Sequence, residues 1–257
     1  MLMHKTIQKN GSRKMLVIEH SWKPEMTIRP LILEKLQMPP EGARISRPRL
    51  ILLLQKSLGD CTSTILSARA GTGKTTLAVD FAHQCGRAVA WYKVDAPDGD
   101  LSIFLQYLAA AIRRKRPAFR SRTLIDFFAN PENLDAAQLA ESFVYELLES
   151  GTEPLLIVIE DLHLVFDADW LVPFFGRLLP LLPAEVHILI TSRSLPPAPL
   201  WRMRSKQTLA VLNDETLRFT RQEVLELFAG KGLSSEQAFI ALDHTRGRAA
   251  ALAALLP

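Results

Sequence analysis

The chain has 257 residues, 48% hydrophobic and 23% charged, which is enough to bury a core without staples and excludes collagen-like, disordered and coiled-coil classes. Its two cysteines, Cys61 and Cys85, exclude a disulfide framework and a Cys-rich zinc module, and they suit a reducing cytosol. The net charge of +4 is partly local, in Lys5, Lys9, Arg13 and Lys14 and in the cluster Arg113, Arg114, Lys115, Arg116, Arg120 and Arg122; no apolar run reaches the roughly 18 residues that span a bilayer, and the first residues lack a signal-peptide core.

Residues 1–40 read as weakly structured, with Pro24, Pro30, Pro39 and Pro40 among polar residues; Met15 and Met26 are alternative starts. From Arg47 the pattern sharpens. Arg47-Pro48-Arg49-Leu50 opens a helix to about Leu58, with Pro48 in the first turn, where its missing N–H is tolerated. Strands and amphipathic helices then alternate. Thr62–Ala68 predicts a short strand, Lys74–Gln84 a helix and Arg87–Asp95 a strand. Leu101–Arg114 and Asp135–Leu148 predict two helices, and the unbroken apolar run Leu155–Ile159 predicts a buried parallel strand. Asp169–Leu182 predicts a helix broken by Pro173 and Pro180, and Val186–Thr191 and Thr208–Leu212 predict two more strands. This repetition implies an α/β fold, a parallel sheet covered by helices on both faces. After Phe219 only helices are expected. Thr220 with Glu223 is a capping-box signature for a helix through Ala229, Ser234 or Ser235 caps another to about His244, and Arg248–Leu256 is a third, apolar piece.

The strand–helix junction carries the chemistry. Ala68-Arg69-Ala70-Gly71-Thr72-Gly73-Lys74-Thr75 has Walker A spacing, with Ala68 where the pattern has Gly. Gly71 and Gly73 let the backbone curl so that its N–H groups point at phosphates, and the helix start at Lys74–Thr76 adds its positive end. Lys74 supplies a cation for the β- and γ-phosphates, and the Thr75 hydroxyl can ligate Mg²⁺. Ala70, Gly71, Thr72, Gly73, Lys74, Thr75 and Thr76 are therefore the candidate nucleotide-binding residues. The strand Leu155–Ile159 ends in Glu160-Asp161. Ligands sit at the carboxyl ends of parallel strands, so these acids fall beside the loop. One suits the Mg²⁺ shell with Thr75 and the other the attacking water; which acid has which role stays open. Val186–Thr191 leads into Ser192-Arg193, and Arg193 can reach the γ-phosphate. Glu160, Asp161 and Arg193 form the candidate catalytic set. His163 reads as a structural or hydrogen-bonding residue, and the histidines show no metal-ligand spacing.

The ordered set of segments resembles a known family. Ala70-Gly71-Thr72-Gly73-Lys74-Thr75-Thr76-Leu77 resembles the phosphate loop of MalT-like, large LuxR-type regulators, which belong to the STAND class of P-loop, AAA-like signal-transduction ATPases. Arg47-Pro48-Arg49-Leu50, Trp91-Tyr92-Lys93-Val94-Asp95, Phe104-Leu105-Gln106-Tyr107-Leu108, Ile159-Glu160-Asp161-Leu162-His163-Leu164, Thr191-Ser192-Arg193 and Phe219-Thr220-Arg221-Gln222-Glu223 resemble its further segments in order. The resemblance covers roughly residues 44–256. It implies a P-loop NTPase domain over 44–215 and a small helical lid over 216–257, behind an extension over 1–43. It also implies a switch that binds ATP or ADP with Mg²⁺, hydrolyses ATP slowly and acts in signal transduction or transcriptional regulation, with Arg193 distinguishing the two nucleotides.

Family members are longer and carry a DNA-binding helix-turn-helix; this chain shows no such module, which suggests a truncated regulator or a minimal one. An exposed apolar end at Ala249–Leu256 would want a protein partner or a second copy. Two alternatives are weaker. DNA binding through the 113–122 cluster lacks aromatics between the charges. A small-molecule kinase would need that cluster as an Arg-rich lid over the phosphates.

Overall fold

The computed structural model of the chain describes residues 31–40, 45–120 and 135–256. The basic residues Lys5, Lys9, Arg13, Lys14 and Arg122 and the alternative starts Met15 and Met26 lie outside the described residues. Helix α1 (Pro48–Asp60) has Pro48 at its start and buries Leu50, Ile51 and Leu54. Strand β1 (Ser63–Ser67) leads through the phosphate-loop sequence into α2 (Lys74–Gln84), and β2 (Ala88–Lys93) follows. Asp100 caps α3 (Leu101–Arg113) by accepting from the N–H groups of Ser102 and Ile103, and Asp135 caps α4 (Ala136–Glu149) through Gln138 N–H. Then come β3 (Leu155–Glu160), α5 (Leu171–Leu181), β4 (Val186–Ser192), a short α6 (Ala198–Trp201) and β5 (Leu209–Asn213). The C-terminal helices are α7 (Arg221–Ala229), α8 (Ser235–Thr245) and α9 (Ala249–Ala253); Thr220 closes the expected capping box with Glu223, and Ser234, one of the two expected caps, closes another with Gln237.

The five strands run parallel in the order β2-β3-β4-β1-β5. β4 therefore separates the phosphate-loop strand from the acidic strand. The alternation of side chains in each strand divides the core in two. Leu155, Ile157 and Ile159 of β3 join a layer with α3, α4 and α5, while Leu156 and Val158 join α1 and α2 on the other face. Every residue of β3 and β4 is buried, as a sheet covered on both sides requires. The lid has a smaller core of its own around Phe219, Val224 and Phe228.

Three features depart from the sequence reading. Pro173 and Pro180 do not break α5. Pro173 lies in the first turn, where N–H groups have no intrahelical acceptor, and Pro180 is the penultimate residue. Residues 31–40 are also not loose. Leu33–Leu36 form a 3-10 turn, Ile32 N–H donates to the Tyr107 hydroxyl at 3.2 Å, and Lys35 Nζ donates to both oxygens of the buried Asp98 at 2.7 and 2.6 Å. Finally, the basic cluster is not one surface. Arg113, Arg114 and Lys115 are exposed, but Arg116 is buried and donates to the carbonyls of Leu147 and Glu153.

His187 on β4 is buried beneath α1. Its Nδ1 lies 3.2 Å from the Cys61 carbonyl, which can only accept, so Nδ1 carries the proton. Nε2 then accepts from Thr64 Oγ1 at 2.9 Å, and Ser57 donates to Thr64 at 2.5 Å. Burial, helped by Arg87, holds the ring down to about 4. Because the folded value lies below the ordinary one of about 6.5, the unfolded chain takes up the proton first. Stability is complete above pH 6.5 and falls as the pH drops toward 4, by about 3 kcal/mol from this group. Denaturant unfolding at pH 7 and pH 4 checks this, and His187→Asn should flatten the difference.

Candidate nucleotide-binding site

The loop between β1 and α2 turns on two left-handed glycines, Gly71 at φ 78° and Gly73 at φ 85°. Ala68 is buried where β1 ends, so a small side chain suffices there. Lys74 folds back over its own loop, and its Nζ donates to the carbonyls of Ala68 at 2.6 Å and Arg69 at 2.9 Å. Burial pulls the Lys74 pKa below its ordinary value, while Asp161 opposes the shift. Thr72 Oγ1 also donates to the Arg69 carbonyl, at 3.0 Å.

The acids stand where the sheet brings them. Glu160 ends β3, and its Oε1 accepts from Thr75 Oγ1 at 2.6 Å. Its Oε2 lies 3.3 Å from Trp91 Nε1, a donor on the neighbouring β2. Asp161 takes the left-handed region at φ 58°, and its N–H donates to Thr191 Oγ1 at 3.0 Å. That backbone turn aims its carboxylate away from Glu160's partners. Asp161 Oδ1 lies 4.0 Å from Arg193 Nε and 3.8 Å from His163 Nδ1. Burial lowers the His163 pKa, Asp161 works against this, and Arg193 and Lys74 add to it. His163 Nδ1 is itself buried without a hydrogen-bond partner among the described residues.

The C-terminal helical segment, the expected lid, packs against the other side of the loop. A cavity of about 280 Å³ lies between the loop and the lid, lined by Ile45, Arg47, Thr76, Asp80, Phe219 and Ala249 among others. Ala250 N–H donates to the Gly71 carbonyl at 2.9 Å, and Arg248 Nη2 donates to the Ala70 carbonyl at 2.6 Å. Main chain of the lid thus bonds directly to main chain of the phosphate loop. Gly247, just before α9, lets the chain there pack closely on Phe219. Its φ is 71°, and a Cβ there would sit 2.5 Å from the Phe219 carbonyl oxygen. Gly247→Ala is expected to destabilise the lid by more than about 1 kcal/mol, seen as faster proteolysis after Arg218 or Arg221.

Arg47 ties the C-terminal helices to the start of α1, a role that nothing local in the sequence shows. Its guanidinium donates to the carbonyls of Leu217 at 2.7 Å and Arg218 at 2.8 Å, pairs with Glu223 at 3.0 Å and stacks 3.8 Å from the Phe219 ring centre. Glu223 therefore serves its own capping box and Arg47 together, and its pKa lies below the ordinary value: the hydrogen bonds from Arg47 and Thr220 outweigh the burial that pushes it up.

No family model matches the chain. It is 28% identical over 196 residues to the serine/threonine-protein kinase PknK of Mycobacterium tuberculosis, covering 75% of this chain and 17% of that protein. It is 28% identical over 214 residues to the HTH-type transcriptional regulator MalT of Serratia proteamaculans, covering 81% of this chain and 23% of that protein. The chain thus spans less than a quarter of either relative. The crystal structure of a signal transduction ATPase with numerous domains (STAND), which carries a tetratricopeptide repeat sensor and comes from Pyrococcus horikoshii, shares the fold: TM-score 0.56 at 17% identity, over 86% of this chain and 30% of that one. The chain is thus similar in sequence to one part of MalT and of PknK, and it shares the fold of a STAND ATPase. No helix among its described residues is long and apolar enough to cross a membrane.

Proposed function

We propose that the chain is the ATP-binding switch module of a signalling or transcriptional regulator, with slow hydrolysis of ATP to ADP as its reset. The observation that carries this reading is the direct bonding of the lid to the phosphate loop, Ala250 N–H to Gly71 and Arg248 to Ala70. A loop that changes its carbonyl directions when phosphates bind must then change the lid's footing. Such differential contact is what a ligand needs to shift an equilibrium.

The residues fit a nucleotide with Mg²⁺. Gly71 and Gly73 have the φ values of a phosphate cradle, and Lys74 spends its donors on loop carbonyls that phosphate oxygens would replace. The 2.6 Å contact of Thr75 with Glu160 brings together a hydroxyl and a carboxylate, a hard oxygen pair suited to Mg²⁺. Mg²⁺, when bound, would supply charge neutralisation at the β- and γ-phosphates. This contact supports Glu160 as the acid of the metal shell. Asp161, turned toward Arg193 and His163, is left as the acid that orients water. The cavity beside Phe219 and Arg47 takes the base and ribose.

A kinase reading gains nothing from the basic cluster. α3 begins at the carboxyl edge of the sheet and runs back, so Arg116 meets Glu153 at the start of β3, the edge away from the phosphate loop. The switch is tested by light scattering of the purified chain with ADP, and then with a non-hydrolysable ATP analogue and Mg²⁺. A mass increase, or docking to a partner, with the analogue alone is the expected result. Failure of either nucleotide to bind would refute the proposal.

A further inference from the structure

Among the described residues, no short bond holds the Arg193 side chain. It is 57% exposed, and its nearest acid, Asp161, is 4.0 Å away. The backbone around it is held far more tightly. Ser67 ends β1 and Ser192 ends β4, and the two are register partners across the sheet. Both are buried. Both hydroxyls donate to one atom, the carbonyl oxygen of Ser194, from Ser67 at 2.8 Å and from Ser192 at 2.6 Å. Ser194 N–H returns a bond to Ser192 Oγ at 3.2 Å. Arg193 lies between the two serines whose main chain is closed in this way. Two hydroxyls use both lone pairs of the Ser194 carbonyl, so the turn has little freedom to tilt.

The clamp is joined to the phosphate loop. Ser67 directly precedes Ala68. Ala68 N–H donates to the Ser192 carbonyl at 3.1 Å, and the Ala68 carbonyl accepts from Lys74 Nζ at 2.6 Å. Strand end, loop lysine and Arg193 turn thus form one connected set of bonds. A flexible side chain reads a phosphate well only if its root is fixed.

We propose that Ser67 and Ser192 are positioning residues for Arg193: their shared bond to the Ser194 carbonyl sets the root from which Arg193 discriminates ATP from ADP. This rests on the reading of Arg193 as the residue that meets the γ-phosphate. Both hydroxyls are spent on the Ser194 carbonyl, and neither serine is a candidate nucleotide-binding residue, so the effect should appear in discrimination and not in binding as such. Ser194 is exposed, so water can serve its carbonyl when the hydroxyls are removed.

The test uses the full chain. Affinities for ADP and for a non-hydrolysable ATP analogue with Mg²⁺ are measured by titration for the unaltered protein, Arg193→Ala, and Ser67→Ala with Ser192→Ala, alongside thermal melting. The double variant should lower the analogue-to-ADP affinity ratio by roughly three- to tenfold, the scale of one or two lost hydrogen bonds, at unchanged ADP affinity and unchanged melting. Arg193→Ala should lower it at least as much. An unchanged ratio in the double variant beside a lowered one in Arg193→Ala would overturn the clamp and leave the sensor. An unchanged ratio in Arg193→Ala would overturn the sensor and the clamp with it. Equal loss of affinity for both nucleotides in the double variant would also overturn it, because the serines would then be supporting the phosphate loop. Should the double variant melt early, Ser67→Ala alone, which leaves Ser192 on the same carbonyl, should still show a partial fall in the ratio; no fall there would count against the proposal.

Discussion

Lys74→Ala should abolish nucleotide binding. The wild-type ammonium is buried against its own loop and held by two carbonyls, Ala68 at 2.6 Å and Arg69 at 2.9 Å. Those bonds cost phosphate little, because the carbonyls lie on the same loop and the side chain has only to swing. Removing it leaves the triphosphate without its one lysine, in a partly buried site where a charge pair is worth more than in water. A loss of at least a hundredfold in affinity for ATP and ADP is expected, about 3 kcal/mol. Isothermal titration reads it directly. Melting should change little or rise, since burial already disfavours the charged ammonium. Unchanged affinity would remove this loop from the nucleotide site.

The two acids should separate by phenotype. Asp161→Asn should leave nucleotide affinity within about threefold and slow turnover by about a hundredfold, the scale of losing one group that acts in the transition state. Glu160→Gln should act through the metal. The amide can still accept from Thr75, but it loses the charge that makes the pair a cation site. Turnover should fall by a similar factor, and the Mg²⁺ concentration for half-maximal rate should rise; a phosphate-release assay across Mg²⁺ concentrations distinguishes the two. The same Mg²⁺ dependence in both variants would reverse or void the assignment.

Much of the fold could be read from local pattern. Leu155–Ile159 is an apolar run with no polar break, and only a strand covered on both faces needs one. The phosphate loop was equally legible, because its glycines and Lys74 act within a few residues of each other. What escaped was long-range. Lys35 and Asp98 are 63 positions apart and Arg47 and Glu223 are 176 apart, and periodicity carries no information about such pairs. Glu223 could be read as a cap but not as the counterion of Arg47, since a cap is a local bond and an ion pair is set by packing. Pro173 and Pro180 misled for a related reason: at Pro173, in the first turn, no N–H is needed, and Pro180 gives up one bond only where α5 is about to end. Arg193 and Asp161 could be read singly from their strand ends, but their approach to 4.0 Å needed the sheet order, which no strand pattern reveals.

The 3-10 turn at Leu33–Leu36 fixes where this domain can be shortened. Asp98 is 1% exposed and accepts from Lys35, from the Tyr92 hydroxyl at 2.9 Å and from Asp95 N–H at 2.8 Å. Lys35 is its only cationic contact among the described residues. A version trimmed to begin at the phosphate-loop domain, near residue 44, would keep every residue of the nucleotide site and still strand a carboxylate in the interior. An uncompensated buried charge costs on the order of 3–5 kcal/mol, a large part of the stability of an ordinary domain. The trimmed protein would carry the site and lack the means to hold it, whereas one beginning at or before Leu31 would keep both.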